Sequence, residues 1–598
     1  MDDSHVNWKK FQRLKFDRKK AARRLKKAET GAARHASKFL TGRLDSLRQA
    51  RRRILTWLIL VGLVLAGMSV QLFAHQNVVM TSTGKAGGSF VEGAVGSIDT
   101  LNPLFASTSA EASVSRLIFS SLYTHDSTGA LHTDIATGLT IDDSQKVYTV
   151  ALRDNVMWHD GQKLTAQDVV FTINIIKNQQ VRSPLRVNWV DVQAEAVNDN
   201  TVRFILPAVY AAFPQALTFP VLPRHILETV SPGAIRESTF SQSPVGSGPF
   251  KFQLLQSTDA VRNMKVVHMV ANDAYFRGRP KLDRFELQAY SSESDIIAAL
   301  KAGALNGASD LSVTSLSEVN TRQYAITSQP LDRGVYLLFN TVNPTLSDRS
   351  VRKALQLATD TVEIRKQLGG GVERLDLPFI ASQVKSAPLP MADSLNLKKS
   401  QKMLDDEGWK IDGGVRKKAG QTLELTITTT KDSEYEKVLD LVVAQWKKLG
   451  VSVKTHIVDR RSTSSTFVQD VLQARNFDVL LYELSLGADP DVYAYWHSSQ
   501  VGAQGYNFTS YSNRNADAAL ASARSRLEPD LRDAKYKSFA EQWLNDVPAI
   551  GLYRSVNEYI SGKNVRAVQN NTTLVTSADR YVDVLQWTIA KHDVYKTP

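Results

Sequence analysis

The chain has no cysteine in 598 residues. That absence excludes disulfides, zinc–thiolate sites, iron–sulfur clusters and thiol nucleophiles, and it leaves the redox compartment unreadable from cysteine pairing. Catalytic signatures are missing as well: there is no Gly-x-Ser-x-Gly elbow, no Walker phosphate loop and no His-Glu-x-x-His. The 11 histidines are scattered without metal-ligand spacing. No enzyme, no cofactor and no metal site is expected on these grounds. A net charge is also missing where the chain is longest. Residues 1–53 carry 18 Lys/Arg and 5 Asp/Glu, a surplus that equals the +13 of the whole chain, so the remainder balances at 55 against 55. A nucleic-acid footprint is therefore not expected on the large C-terminal part.

What is present begins with "ILTWLILVGLVLAGMSVQLFA", residues 54–74, which holds no charged residue. At 1.5 Å per residue it spans about 31 Å, the thickness of a bilayer's hydrocarbon core. "RRR" at 51–53 and a basic arm precede it; His75, Gln76 and Asn77 follow. The positive-inside tendency puts the arm, residues 1–53, in the cytoplasm and the large part on the outer face. "VLAG" at 64–67 resembles the start of a lipoprotein signal, which requires cysteine next, but Met68 stands there. The run is read as a retained single-pass transmembrane helix rather than a cleaved signal. The arm "KKFQRLKFDRKKAARRLKKAE" reads as helical, and adhesion to anionic lipid is its expected role.

Beyond a Gly-rich linker, residues 75–87, strand and helix patterns alternate. "KVYTVALR" (146–153) and "NDNTVRFIL" (198–206) have strand composition. "LTAQDVVFTINIIKN" reads as a helix capped by Thr165, with Val169, Val170, Ile173 and Ile176 as its apolar stripe. Between 421 and 485 the order is strand, helix, strand, short helix, strand, which implies right-handed crossovers and a largely parallel sheet. Ser433 is the expected cap of the long helix and Gly450 its end. Ligands of open α/β sheets sit beyond the carboxyl ends of the strands. That points to "SLGADPDVYAYWHSS", where Asp489 is expected to cap a helix and Tyr493, Tyr495 and Trp496 form an aromatic cluster. His159-Asp160 reads as a polar turn. "ADAALASARSRLEPDLRDAKYKSFAEQWLND" reads as two helices, the second opened by Pro529.

Several stretches resemble the bacterial extracellular solute-binding proteins of family 5, the receptors of peptide and nickel ABC importers. "GLTIDDSQKVYTVALRDNVMWHDGQKLTAQDVVFTI" (138–173) is similar to the family's longest motif. "IDTLNPLF" (98–105), "PVGSGPFKF" (244–252), "YLLFNTVNPTLSDRSVRKALQLATD" (336–360), "KMLDDEGW" (402–409), "FDVLLYELSLGADPD" (477–491), "NFTSYSNRNADAAL" (507–520) and "DVPAIGLY" (546–553) follow in family order. The resemblance implies an α/β, two-lobed periplasmic-binding-protein-like fold of type II, in the large variant with an extra domain. It implies lobe one from 88–126, 240–334 and 556–598, the extra domain from 127–239, lobe two from 335–555, and hinge strands near "YLLFNT" and "IGLYRS". The lobes would close on a solute, most simply an oligopeptide held as an added strand, and deliver it to ABC permease and ATPase subunits.

Family resemblance also puts an amine-binding Asp three residues before the acidic-Pro pair, and here Leu486 stands there. Glu483, Asp489 or Asp491 could substitute, with Tyr493, Tyr495, Trp496 and Asn340 as further candidate contacts. Two other readings use the same fold: a sensor signalling through the transmembrane helix, and a binder of a non-peptide solute such as a metal chelate, haem or sugar.

Overall fold

Long, largely buried runs at Tyr324–Phe339 and Ala549–Gly562 form two strands that pair antiparallel from Tyr324↔Gly562 to Leu338↔Ala549. In this computed structural model the described residues are 44–595, except 260–263, 314, 370, 460–465, 570 and 571, together with 23, 26, 27, 30, 31, 33 and 34. The basic arm expected as a helix over 9–29 lies largely outside them. The chain divides into two units, residues 84–592 and residues 1–83 with 593–598.

In the smaller unit, Leu44–Val79 is one helix. Its stretch Ile54–Gln71 has a mean hydropathy of 2.1 and is long and apolar enough to cross a membrane. The helix continues through residues 75–79, and Met80–Lys85 is a strand, where a linker was expected.

In the larger unit the two long strands stand in the middle of a ten-stranded sheet. On one side lie Val479–Ser485, Glu424–Thr430 and Ser452–Val458; on the other lie Gly307–Ala308, Ser89–Val95, Arg284–Tyr290, Met264–Ala271 and Phe250–Asp259. Glu424–Thr430 runs parallel to both of its neighbours, as the 421–485 pattern requires. The helix between, Ser433–Leu449, buries Val438, Leu439, Val442 and Trp446, a stripe at helical spacing. Its cap is Asp432, whose carboxylate accepts from the Glu434 and Tyr435 amides, rather than Ser433. A carboxylate facing the positive end of the helix is the stronger partner there. Gly450 ends the helix in the left-handed region, at φ 89°.

A second, four-stranded antiparallel sheet has the order Ala136–Ile141, Val147–Leu152, Thr201–Ile205, Gln193–Asn198. Helix Ala166–Lys177 lays Val169, Ile173 and Ile176 into its core, each contributing about 1.5–3 kcal/mol by burial. That core is continuous with the one around Phe90, Phe285 and Trp587, so the 127–239 segment has no separate interior. Two further clusters pack on opposite faces of the sheet around Val479–Ser485, one holding Leu480 and Leu484 and the other Val479 and Leu481, as a strand's period of two dictates.

The "WHDG" turn locks onto "PVGSGPF". The His159 ring accepts from the Gly246 amide at 3.2 Å through Nδ1, and burial pushes its pKa down to about 4. A side chain at Gly246 would strike the Ile118 carbonyl, so this close approach requires glycine.

Candidate functional site

Strand Val479–Ser485 ends in an open turn, and the chain passes through Leu486, Gly487 and Asp489 into the short helix Tyr493–Trp496. This turn is pinned to the middle of Tyr324–Phe339, at the irregularity in its pairing between Pro330 and Gly334. The Asp332 carbonyl accepts from the Leu486 amide at 2.8 Å and the Gly487 amide at 3.1 Å. The Asp332 side chain is buried against Arg554, Nη2 to Oδ1 2.7 Å, and Arg554 also reaches Glu373 at 2.8 Å. Burial raises the Asp332 pKa to about 6, against the pull of Arg554. Both residues belong to the two long strands, so this ion pair sits where the chain passes from one side of the sheet to the other.

The acidic loop is held by two arginines from the C-terminal helices. Asp489 receives Arg532 Nη1 at 2.7 Å, and its other oxygen accepts from the Asp491 amide. Asp489 therefore closes a turn and an ion pair instead of capping the next helix, which begins after Val492. Asp491 is buried and pairs with Arg524 Nε at 3.1 Å; burial pushes its carboxyl upward, with Arg524 opposing. The Arg524 guanidinium lies between two rings, 4.5 Å from the centroid of Tyr493 and 4.7 Å from that of Tyr210. Its carbonyl accepts from the Ala211 amide at 2.9 Å. Tyr210 and Ala211 belong to the 127–239 segment, and Arg524 to the 335–555 segment, so this clasp joins the two. Burial pushes the Tyr210 hydroxyl up to about 12, so the ring stays neutral at the site.

The seven candidate residues are thus brought together only in part. Asp489, Asp491 and Tyr493 share the arginine network. Tyr495 extends beside it, its hydroxyl donating to the Ser485 carbonyl at 2.7 Å. Glu483 lies on the strand, accepting from Ser555 at 2.6 Å and from Arg333 at 3.3 Å. Trp496 is fully buried, edge-on to Trp543 at 5.4 Å. Asn340 directly follows the end of Tyr324–Phe339, away from Asp332 in that strand's middle, and donates to the Phe477 carbonyl at 3.1 Å. Leu486 is buried in the apolar cluster with Leu375 and Phe379. A lone carboxylate in that position would lack an apparent partner and carry a desolvation cost. Sequence reasoning missed Tyr210, Asp332, Arg524, Arg532 and Arg554. Each is unremarkable in its own stretch, and its partner stands tens to hundreds of residues away.

A cavity of about 420 Å³ lies between the 127–239 segment and its neighbours. His125 and Asp579 line it, with Nδ1 and Oδ2 3.8 Å apart, and the pair also raises the His125 pKa against the effect of burial.

Residues 130–505 match the family described as bacterial extracellular solute-binding proteins, family 5 Middle. The oligopeptide-binding protein AppA of Bacillus subtilis (strain 168) is 27% identical over 517 residues, covering 84% of this chain and 92% of AppA. A solved structure of Bacillus subtilis AppA in complex with a nonapeptide superposes with a TM-score of 0.69 at 26% identity, covering 85% of this chain and 100% of that one. NikZ from Campylobacter jejuni in complex with Ni(L-His) gives a TM-score of 0.71 at 27% identity, covering 84% and 99%.

Proposed function

The chain belongs to the bacterial extracellular solute-binding proteins of family 5, and on that footing we propose that it is the membrane-tethered receptor of an ABC importer and captures oligopeptides by closure of two lobes. The observation that carries this reading is the clasp of Arg524 between Tyr210 and Tyr493. It bonds the 127–239 segment to the 335–555 segment across two long strands, and such a contact must break for a solute to enter. Lobe one comprises 88–126, 240–334 and 556–598 in this reading, and lobe two 335–555. Ile54–Gln71 holds the receptor at the membrane with residues 1–53 on the cytoplasmic side, where the arm's positive charge favours anionic lipid. Tethering raises the receptor's effective concentration beside its permease. Tyr493, Tyr495 and Glu483 reach the solute; Asp489 and Asp491 keep the two arginines in place; Trp496 and Asn340 serve packing.

No bond is made or broken by this chain, and ATP hydrolysis belongs to separate subunits. The test is mass spectrometry of whatever co-purifies with the full chain in detergent. A ladder of mixed peptides supports the reading, and one homogeneous non-peptide compound, such as a nickel chelate, overturns its peptide part.

A further inference from the structure

Arg116 is a cation outside every ion pair among the described residues, although its charge helps to hold the Asp579 carboxyl below its usual range. It sits half-buried on helix Ser109–Ile118 and lines the 420 Å³ cavity. Among the described residues it forms no ion pair within 4 Å, and its guanidinium has one hydrogen bond, donated to Thr124. A guanidinium carries five N–H donors in a planar fork, so most of this one's capacity is unspent. Asp579, an acid lining the same cavity, makes its short contacts elsewhere: it accepts from the Thr576 amide at 2.8 Å and hydroxyl at 3.0 Å and faces His125. The opposite histidine nitrogen meets Gln215 at 3.1 Å.

The rest of the cavity is of a different character. Leu104, Phe119, Leu185, Trp189 and Phe219 line it, with the Trp189 and Phe219 rings edge to face at 5.1 Å. An apolar chamber of several hundred cubic ångströms suits one large side chain, and a few placed polar groups set its orientation. One spare arginine fork beside such a chamber matches a single carboxylate next to a bulky apolar group. Phosphates and polyanions would need more positive charge than one guanidinium supplies. A cationic end group would meet Arg116 directly.

We infer that this cavity binds the carboxyl-terminal residue of the captured peptide, an aromatic or branched aliphatic side chain in the chamber and its free carboxylate on Arg116. The inference rests on the peptide-receptor reading above and assigns the polarity of the bound peptide. The solute is registered by its acid end, which fits the buried leucine at position 486.

Calorimetry on the full chain in detergent tests it with tetraalanyl-phenylalanine as the free acid, as the C-terminal amide and as the N-acetylated acid. The acid and its N-acetyl form are expected to bind alike, and the amide about tenfold or more weakly. Arg116→Gln should make acid and amide equal. Because that variant could fold poorly, Ala216→Trp provides a second measurement: it fills the chamber and should weaken the phenylalanine peptide about tenfold while leaving pentaalanine unchanged. An amide that binds as tightly as the acid, or a loss of binding on N-acetylation alone, overturns the assignment and leaves the receptor reading standing. Heat from none of the peptides overturns the peptide reading itself, and this inference with it.

Discussion

Glu92 is a charged residue in the middle of a buried strand, fully enclosed with Arg580, which lies 488 residues further along. Arg580 Nε donates to it at 3.1 Å, and the Tyr581 and Tyr559 hydroxyls donate to its two oxygens at 2.7 and 2.9 Å. A buried pair satisfied on every side is tolerated, whereas half of one is costly. Arg580→Met should therefore lose about 3–5 kcal/mol in urea unfolding followed by circular dichroism; a loss below about 1 kcal/mol would contradict the geometry. Glu434 shows a different balance. Burial lifts its carboxyl from 4.5 to about 7 although the Tyr553 hydroxyl donates to it at 2.7 Å. The folded chain thus holds this proton more tightly than the unfolded one, and stability falls as pH rises between those two values. Glu434→Gln, which keeps the acceptor without the charge, should be more stable than the parent by about 2 kcal/mol near pH 8 and equal to it near pH 4. Parallel denaturation curves at the two pH values would refute this. Neither Glu92 nor Glu434 is marked in the sequence, because only burial distinguishes them from surface acids.

Helix Arg514–Arg524 delivers Arg524 from its last turn into the Tyr210–Tyr493 clasp. Arg524→Ala should leave the helix in place, expand the molecule by small-angle scattering without solute, and weaken solute binding about tenfold, chiefly through faster release. An unchanged scattering profile and dissociation rate would remove the clasp from any part in closure. At this scale the sequence was most readable. The helix and parallel strands between 424 and 485, the turn at His159-Asp160 and the helix opened by Pro529 all stand as their local patterns require, since periodicity and capping act within a few residues. Three local readings moved, the first being the expected linker at 75–87, which holds the end of a helix and the strand Met80–Lys85. Asp432 took the cap from Ser433, and Asp489 was drawn from capping into an ion pair by Arg532, a partner on another helix.

The stretch Ile54–Gln71 sets the expectation for the whole protein. Deleting it should shift the chain from the membrane pellet to the soluble fraction with solute binding intact; a deleted form that still sediments with membranes would refute the tether. By itself the sequence determined the apolar span, the charge balance of the large C-terminal part, the family and the order of strands and helices, because hydropathy and motif order are carried by neighbouring residues. Only the tertiary structure decided which side chains meet: Glu92 with Arg580, Asp332 with Arg554, Tyr210 with Arg524, and Arg116 beside an apolar chamber. The sheet is woven from distant segments, and the energy of a buried charge depends on partners that chain order does not reveal.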